Sequence, residues 1–343
     1  MRVLIDTSYA VRAPRSGTAV YINCLAEKLE KLSGLKLVRV ANTARRPPAG
    51  GGLGSARNLA TDLRWMGVEL PRLARRTRAQ LIHHPLPAFA AVRGIAQVVT
   101  LHDLAFERLP DHFDAAFRTY SRLTHRAAAL AAGAVICVSE TTAADAREIW
   151  RIGPERIVVA RHGPGQAVSN VRRSAPEHFL YVGDQEPRKD LTTLLEAYRR
   201  YRDETSQPLG LVLAGSAWGQ GEGIRVEPAP STQRLAELHS SAAALVHPSL
   251  YEGFGLTAVE AMRAGTPVLA ARVPAVTEIC AEAVLYAPAG DAQAFARAML
   301  ELAVDTGLRE ALSARGAEQA ARYSWTACAQ AHLDAYSLAL ERR

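Results

Sequence analysis

The stretch that decides the fold runs His247-Pro-Ser-Leu-Tyr-Glu-Gly-Phe-Gly-Leu-Thr-Ala-Val-Glu-Ala-Met-Arg-Ala-Gly-Thr-Pro-Val-Leu-Ala270. An apolar strand ends near His247, and Gly253 and Gly255 form a tight loop without side chains that would block a ligand. A helix is predicted from about Leu256 to Gly265, because glycine commonly follows the last turn of a helix. Backbone N–H groups at the start of such a helix form a ready site for a diphosphate.

Two carboxylates flank this loop. Glu252 precedes it and Glu260 lies about one turn inside the helix, so both side chains can project toward one ligand. A carboxylate can accept hydrogen bonds from two neighbouring sugar hydroxyls. The pattern therefore predicts that Glu260 binds a ribose and that Glu252 reaches a sugar. The alternative is that a glutamate near a helix start only stabilises the helix dipole.

Strand-like and helix-like segments alternate along the rest of the chain, as in α/β folds with parallel sheets. In the first half the apolar strand segments are Arg2–Asp6, Leu35–Val40, Gln80–His83, Gln97–Leu101, Ala134–Val138 and Ile157–Ala160. In the second half they are Phe179–Val182, Leu209–Ala214, 243–247 and Pro267–Ala271, between helical patterns at 191–202, 231–240, 256–264 and 291–304.

The 343 residues exceed one ordinary core and suit two domains of ~150 residues. A segment rich in glycine and proline separates the two alternating halves. We predict an N-terminal Rossmann-like domain at 1–165, a C-terminal Rossmann-like domain at 175–322, and a helix at 323–343 that packs back on the first domain. Such sheets bind ligands at the carboxyl ends of their strands, so a central cleft is expected there.

Composition sets the class of protein. The chain is 48% hydrophobic and 22% charged, which is typical of a globular protein. Its net charge of +7, from 41 basic and 34 acidic residues, is too small to indicate a nucleic-acid binder. It suits an anionic substrate such as a nucleotide diphosphate, or an anionic membrane surface.

Cysteines and apolar runs indicate the compartment. Cys24, Cys137, Cys280 and Cys328 are far apart in sequence, so neither a CxxC pair nor metal-ligand spacing exists. Buried free thiols suit a reducing cytoplasm. The first residues read as a strand rather than a signal peptide, and no apolar run reaches the ~18 residues that span a bilayer. Any membrane contact is therefore expected to be peripheral.

Further polar residues follow predicted strands. In Tyr181-Val-Gly-Asp-Gln-Glu-Pro-Arg-Lys-Asp190, Arg188 and Lys189 lie at a helix start, where cations oppose the dipole, so an anion is expected beside them. His102 and Asp103 follow the strand that ends at Leu101. Such side chains face the ligand edge of a parallel sheet, although a single histidine there is commonly structural.

These segments together resemble the retaining glycosyltransferases of the GT-B fold known as family 4, or group 1. The family signature is two glutamates separated by seven residues around Gly-Phe-Gly, followed by a helix and Gly-Thr-Pro-Val, and Glu252 to Val268 contains all of it. The resemblance extends from the first strand to the last helix. It implies a GT-B fold, with two Rossmann-like domains facing a central cleft.

The resemblance also implies residue roles. Lys189 matches the lysine that contacts the nucleotide diphosphate, with Arg188 as a weaker match, and His102 matches a histidine that approaches the donor sugar. Asp103 would orient His102 or bind acceptor, and Gly17 lies in a loop that leaves room for phosphates. The implied catalytic residues are Glu252, His102 and Lys189; the implied donor-binding residues are Gly17, Asp103, Arg188, Lys189, Gly253, Phe254, Gly255, Leu256 and Glu260. Neither a metal nor a cofactor is expected, because no Asp-x-Asp motif occurs.

The implied function is metal-independent hexosyl transfer with retention. The expected donor is a GDP-, UDP- or dTDP-sugar carrying a mannose-like or deoxysugar unit. The expected acceptor is a glycan or a lipid-linked oligosaccharide in bacterial polysaccharide or lipopolysaccharide synthesis. Trp65-Met-Gly-Val-Glu-Leu-Pro-Arg72 resembles a segment of members that build surface polysaccharides, and the arginines that follow it suggest contact with the inner face of an anionic membrane.

Two departures from the family leave the nucleotide base undetermined. Asp184 stands where many members carry an arginine that binds phosphate, and residues 214–231 are too short for the usual helix near the base. Two alternatives therefore remain. One is a non-catalytic subunit that binds a nucleotide sugar, and the other is a different GT-B enzyme such as an epimerase or a phosphorylase.

Overall fold

The structure, a computed structural model, describes residues 1–45, 53–165, 175–216 and 219–342. These residues form two compact units. The first comprises the described residues of Met1–Glu107, Phe113–His162 and Trp325–Arg343, and the second those of Arg108–His112 and Gly163–Ser324.

The first unit is built on a parallel six-stranded sheet. Its strands are β1 (Arg2–Asp6), β2 (Lys36–Val40), β3 (Leu81–His84), β4 (Ala96–Leu101), β5 (Ala134–Cys137) and β6 (Ile157–Val159), in the spatial order β2-β1-β3-β4-β5-β6. Its helices are α1 (Ser8–Arg12), α2 (Gly17–Glu30), α3 (Leu53–Arg64), α4 (Leu70–Arg76), α5 (Ala105–Arg108), α6 (Ala115–Ala131), α7 (Glu140–Trp150) and α14 (Trp325–Glu341).

Alternating strand residues bury both faces of this sheet. Val3, Val98 and Ile136 share a core with α2 and α14. On the other face, Leu4 packs with α4, and Val99 packs with α6 and α7. Strands buried on both sides read as continuous apolar runs, which is why they stand out in the sequence.

The second unit has the same architecture. Its strands are β7 (His178–Val182), β8 (Gly210–Gly215), β9 (Ile224–Pro228), β10 (Ala242–His247), β11 (Val268–Ala271) and β12 (Leu285–Ala287), in the parallel order β12-β11-β10-β7-β8-β9. Its helices are α8 (Leu191–Asp203), α9 (Thr232–Ser241), α10 (Leu256–Arg263), α11 (Pro274–Cys280), α12 (Ala292–Val304) and α13 (Thr306–Ala320).

The predicted α/β class with two Rossmann-like sheets is confirmed. Each predicted strand matches an observed one to within a residue or two, whereas β9 and β12 at the edges of the second sheet were not predicted. Both are short and only partly buried, and β9 carries the charged residues Arg225 and Glu227.

Each sheet has a point where the strand order reverses. In the second unit, the chain runs β7-β8-β9 to one side and then returns to place β10 on the other side of β7. In the first unit the reversal lies between β1 and β3. Ligands of open α/β sheets bind outside the carboxyl ends of the strands at such a point.

Buried histidines make the fold acid-sensitive. Burial lowers the pKa of His332 and of His239 to about 4, and lowers that of His83 well below its ordinary value. In the unfolded protein the pKa of histidine is about 6.5. Below that pH the unfolded state binds more protons than the folded state, so the free energy of unfolding decreases as the pH falls from about 6.5 toward 4. Burial of His332 and of His239 therefore costs roughly 2 kcal/mol of unfolding free energy each between pH 7 and pH 5, and His83 acts in the same direction.

We therefore expect the melting temperature to fall by about 10 °C between pH 7 and pH 5. Differential scanning calorimetry at constant ionic strength measures this. His239→Gln serves as the comparison variant and should lose less stability over the same interval. Equal melting temperatures at the two pH values would contradict neutral burial.

Candidate active site

Two predicted site segments meet at the reversal point of the second sheet. Lys189 ends a short 3-10 helix, Pro187–Lys189, that follows β7. Glu252 lies in the loop that follows β10. Because β7 and β10 are adjacent parallel strands, their carboxyl ends bring the two segments together, and the amide of Leu250 donates to the carbonyl of Arg188 at 2.8 Å.

Glu252 is the centre of a buried charge cluster. Its side chain is 8% exposed, and Lys189 Nζ donates to Oε1 at 2.6 Å. Arg188 lies 3.5 Å from Oε2, and its Nε also pairs with Glu186 at 2.8 Å. Lys189 and Arg188 therefore contact one buried carboxylate, and Glu186 pairs with the same arginine, so two positive charges face two carboxylates. A bound anion would have to draw these cations away from their carboxylate partners.

The cluster fixes the charge of Glu252. Burial by itself raises the pKa of this carboxyl, but Lys189, His247 and Arg188 together hold its pKa well below the ordinary value. Glu252 is therefore ionised at neutral pH, as an acceptor of sugar hydroxyls must be. The anion expected beside Arg188 and Lys189 is, in this structure, the Glu252 carboxylate itself.

The start of α10 presents backbone amides beside this cluster. Gly255 is the residue before the helix and has φ of +84°, a conformation that favours glycine. Among the described residues, no side chain caps this helix start. The predicted loop residues Gly253, Phe254 and Leu256 line the same turn, and Glu260 is 5% exposed inside the helix.

Asp184 stands where many family members carry an arginine, and residues of the same unit hold it in place by hydrogen bonds. Its carboxylate accepts a short hydrogen bond from Ser216, and its carbonyl accepts from the hydroxyl of Tyr181 at 3.0 Å. The side chain is thus tied to the end of β8. Arg188, rather than residue 184, supplies the second cation near Glu252.

His247 and Ser249 belong to this neighbourhood, although the sequence analysis assigned them no role. His247 Nε2 lies 3.3 Å from Glu252 Oε1, and its Nδ1 lies 3.3 Å from the Thr257 hydroxyl. The Ser249 hydroxyl is buried and has no hydrogen-bond partner among the described residues. His247 is the last residue of β10, and Ser249 lies two positions after it. A polar residue at the end of an otherwise apolar strand is the sequence pattern that could have identified them.

His102 lies after β4 in the first unit. Its Nε2 donates to the carbonyl of Pro85 at 2.9 Å, which leaves Nδ1 as a hydrogen-bond acceptor. Burial lowers the pKa of this imidazole, so the ring is neutral. The ring of Tyr21 packs edge-on against it at a centroid distance of 4.8 Å. The neutral His102 ring can therefore accept a hydrogen bond from a hydroxyl group at Nδ1.

Three other predictions on the first unit have structural outcomes. The Asp103 carboxylate accepts from the amide of Ala105 at 3.0 Å, so the carbonyl that orients His102 is that of Pro85. Gly17 is the first residue of α2, after Ser16, whose hydroxyl caps that helix.

Trp65 begins a π-helix and is 5% exposed, with its indole N–H donating to Asp6 at 2.8 Å. Trp65 is therefore a core residue, and the suggested contact of the arginines after it with an anionic membrane or a lipid-linked acceptor stays a prediction.

Within the described part of the chain, no three His, Cys, Asp or Glu side chains converge as a metal site. The expectation that the reaction needs no metal stays a prediction.

Known proteins match both units. Residues 15–163 match the family model described as Glycosyltransferase Family 4, and residues 166–319 match the model described as Glycosyl transferases group 1. The O-antigen chain mannosyltransferase B of Escherichia coli is 28% identical over 266 residues, which cover 70% of each chain.

Solved structures show the same fold. Sucrose-phosphate synthase from Thermosynechococcus elongatus matches with a TM-score of 0.77 at 20% identity, over 98% of each chain. Anabaena HepE in complex with UDP and glucose matches with a TM-score of 0.70 at 16% identity, over 98% of this chain and 99% of that one. The chain therefore belongs to the glycosyltransferases of family 4, also called group 1, and has the GT-B fold.

Proposed function

We propose that this glycosyltransferase moves a mannose-like or deoxysugar unit from a nucleotide sugar to a glycan or lipid-linked acceptor, with retention and without a metal. The observation that carries the proposal is the buried cluster in which Lys189 and Arg188 surround the ionised Glu252. It combines the two groups that a nucleotide sugar needs, namely cations for a diphosphate and a carboxylate for sugar hydroxyls.

The leaving group is the nucleoside diphosphate. Lys189, Arg188 and the amides at the start of α10 stabilise the negative charge that develops as the glycosidic oxygen leaves. Lys189 Nζ reaches this role by turning from Glu252 toward the phosphate, and Glu260 binds the ribose. The residues near the base lie in 214–231, where Ala217 and Trp218 are outside the described residues.

The acceptor hydroxyl attacks the anomeric carbon from the face that the diphosphate leaves, and its proton passes to the departing phosphate. Glu252 holds hydroxyls of the transferred sugar during this step. The role that we propose for His102, by its match to the family's histidine, is to accept a hydrogen bond from a sugar hydroxyl. A covalent double displacement with Glu252 as the nucleophile is the less favoured alternative.

The names of the relatives support the proposed sugar and acceptor. The Escherichia coli relative is named an O-antigen chain mannosyltransferase, which supports mannose and a role in bacterial surface polysaccharide synthesis. HepE was solved with UDP and glucose, which supports UDP as another candidate nucleotide. We expect the protein to act in the cytoplasm at the inner face of the membrane.

A thermal-shift screen of UDP, GDP, ADP, dTDP and CMP tests donor binding. A ligand that binds the folded state raises the melting temperature according to its affinity. One diphosphate should stabilise the protein more than the others and more than CMP. If no nucleotide shifts the melting temperature at millimolar concentration, the proposed donor site is wrong.

A non-catalytic subunit that binds a nucleotide sugar is the second candidate. It is favoured by Asp184, which replaces a phosphate-binding arginine and is tied to Ser216. Turnover separates the two candidates. A transferase releases nucleotide from its donor slowly even without acceptor, whereas a binding subunit holds the donor intact.

The proposed peripheral membrane contact rests on α6 rather than on Trp65. This helix exposes Phe117, Tyr120 and Leu123 to 49, 49 and 66%, and it contains three arginines and no acidic residue. Within the described residues, no helix is long and apolar enough to cross a bilayer. Exposed aromatic and basic side chains on one helix favour an interfacial contact with anionic lipid.

Cosedimentation with vesicles that contain phosphatidylglycerol tests this contact. The wild type should bind these vesicles and release them at high salt, because the arginines act by charge. The Phe117→Ser, Leu123→Ser variant should bind about tenfold more weakly. Retention of full binding by that variant would exclude α6 as the contact.

A further inference from the structure

A buried chain of hydrogen bonds crosses the first unit between the sheet and the last helix, α14. Tyr336 bonds His83 Nδ1 at 2.9 Å, and His83 Nε2 bonds the Thr100 hydroxyl at 2.9 Å. Thr100 bonds the Tyr21 hydroxyl at 2.9 Å, and Tyr21 bonds His332 Nε2 at 2.8 Å. All five side chains are fully buried. No local sequence pattern indicates this series of hydrogen bonds, because Tyr21 and His332 are 311 positions apart.

One carbonyl fixes every proton in the chain. His332 Nδ1 lies 2.7 Å from the carbonyl of Cys328, which can only accept, so Nδ1 carries the proton. The neutral ring then has a bare Nε2, which must accept from the Tyr21 hydroxyl. Thr100 must in turn donate to the Tyr21 oxygen, because the Tyr21 proton is already used.

The same logic extends to the far end. Since the Thr100 proton is used, His83 Nε2 must donate to the Thr100 oxygen, and His83 Nδ1 must accept from Tyr336. Every donor thus has one acceptor. All hydrogen bonds of the series therefore point the same way, each group donating to the next from Tyr336 to the Cys328 carbonyl. Fully satisfied buried networks of this kind hold their members in one geometry.

Tyr21 is the member of the chain that touches His102. Its ring packs edge-on against the His102 ring at 4.8 Å and stacks on His162 at 4.8 Å. Among the described residues, the His102 side chain has one hydrogen-bond partner, the Pro85 carbonyl, so rotation of the ring about that bond is limited by packing. The Tyr21 ring, held at its hydroxyl by Thr100 and His332, packs against His102 in an edge-to-face contact, and the His162 ring lies at a centroid distance of 5.7 Å.

We propose that Tyr21 and His332 are positioning residues, through which the C-terminal helix fixes the ring plane of His102 for contact with the transferred sugar. The proposal rests on the role of His102 in the proposed function. Neither residue touches substrate. His332 acts on Tyr21 by accepting its proton, and Tyr21 acts on His102 through its ring.

Two matched Tyr→Phe variants test the proposal. Tyr21→Phe removes the hydroxyl beside His102, and Tyr336→Phe removes the hydroxyl at the far end of the same chain. The assay is nucleotide release from GDP-mannose or UDP-glucose, whichever raises the melting temperature more. We expect Tyr21→Phe to lower kcat about tenfold with KM changed less than threefold, because misplaced catalytic groups cost rate. Tyr336→Phe should keep kcat within about twofold while both variants lose thermal stability.

His332 supplies a second, independent pair of variants. His332→Gln keeps an acceptor for the Tyr21 hydroxyl and should retain most of kcat, whereas His332→Leu removes that acceptor and should resemble Tyr21→Phe. If both Tyr→Phe variants lower the melting temperature but leave kcat unchanged, the chain is only structural and the proposal is overturned.

A double-mutant cycle separates this proposal from the proposed function. The effect of Tyr21→Phe on kcat should vanish in a His102→Ala background, because the two residues act as one unit. An equal effect in both backgrounds shows that Tyr21 does not act through His102, which overturns the proposal and leaves the proposed function intact. If His102→Ala itself leaves kcat unchanged, the proposed role of His102 fails and the positioning role fails with it.

Discussion

Replacing Glu252 by glutamine is expected to lower kcat for donor turnover at least about a hundredfold, while affinity for the nucleoside diphosphate stays equal or rises. Hydrogen bonds to a charged group are worth about 1.5–3 kcal/mol, and the carboxylate would make two of them to the sugar. In the unliganded protein, Glu252 holds Lys189 at 2.6 Å and thus competes with the phosphate. Removal of its negative charge frees that cation. Nucleotide release gives kcat, and calorimetric titration gives Kd.

Glu186→Gln is the matched control. Glu186 also pairs with Arg188, at 2.8 Å, but its side chain is 45% exposed. Exposed ion pairs contribute little, so kcat and Kd should change less than about threefold. If Glu252→Gln lost diphosphate affinity in proportion to kcat, Glu252 would be a scaffold for the phosphate site and not a sugar ligand.

Lys189→Ala is expected to weaken diphosphate binding about 10- to 100-fold and to destabilise the second unit. The lost affinity is that of one charge-assisted contact to phosphate. The lost stability arises because Glu252, which is 8% exposed, keeps its burial but loses its strongest partner. Removing one partner of a buried ion pair costs about 3–5 kcal/mol, and the 18% exposure of Lys189 places this case at or below the lower end.

The double variant Lys189→Ala, Glu252→Gln separates these two effects. It no longer buries an uncompensated charge, so its melting temperature should exceed that of Lys189→Ala alone. Its diphosphate affinity should remain low, because the phosphate cation is still absent. A double variant less stable than either single variant would show that the Lys189–Glu252 pair does not carry the expected coupling.

Local patterns in the sequence predict most of the fold. The strands that carry the site are buried on both faces, so their apolar runs are unbroken, as in Ala242–His247. The glycines after this strand and the helix beyond it are equally local features. The short edge strand Leu285–Ala287 has only three residues, and so short an apolar run does not by itself distinguish a strand from other structure.

Single residues of the site are also predictable, but their pairings are not. The position of Lys189 at a helix start indicated a missing anion, because a cation there opposes the helix dipole. The sequence could not show that Glu252, 63 positions away, provides that anion in the unliganded protein. Such a contact depends on which strands are neighbours, and strand order follows from the topology of the whole unit.

The buried chain from Tyr336 to His332 was beyond sequence reasoning for the same reason. Each histidine in it lies in an apolar strand or helix and reads as an ordinary core residue. The pairing of β3 with β4 brings His83 to Thr100, whereas the packing of α14 brings His332 to Tyr21 on α2 and Tyr336 to His83.

Donor turnover is the most direct test of the central claim, which is glycosyl transfer at the Glu252–Lys189 cluster. Wild type and Glu252→Gln are incubated side by side with GDP-mannose, UDP-glucose and a dTDP-deoxysugar, and the released nucleotide is quantified by chromatography. We expect the wild type to release nucleotide from one of these donors. Glu252→Gln should release it at least about a hundredfold more slowly while still binding the diphosphate. Tight binding of a donor by the wild type without any release, with and without a glycan acceptor, would contradict the account and identify a binding subunit.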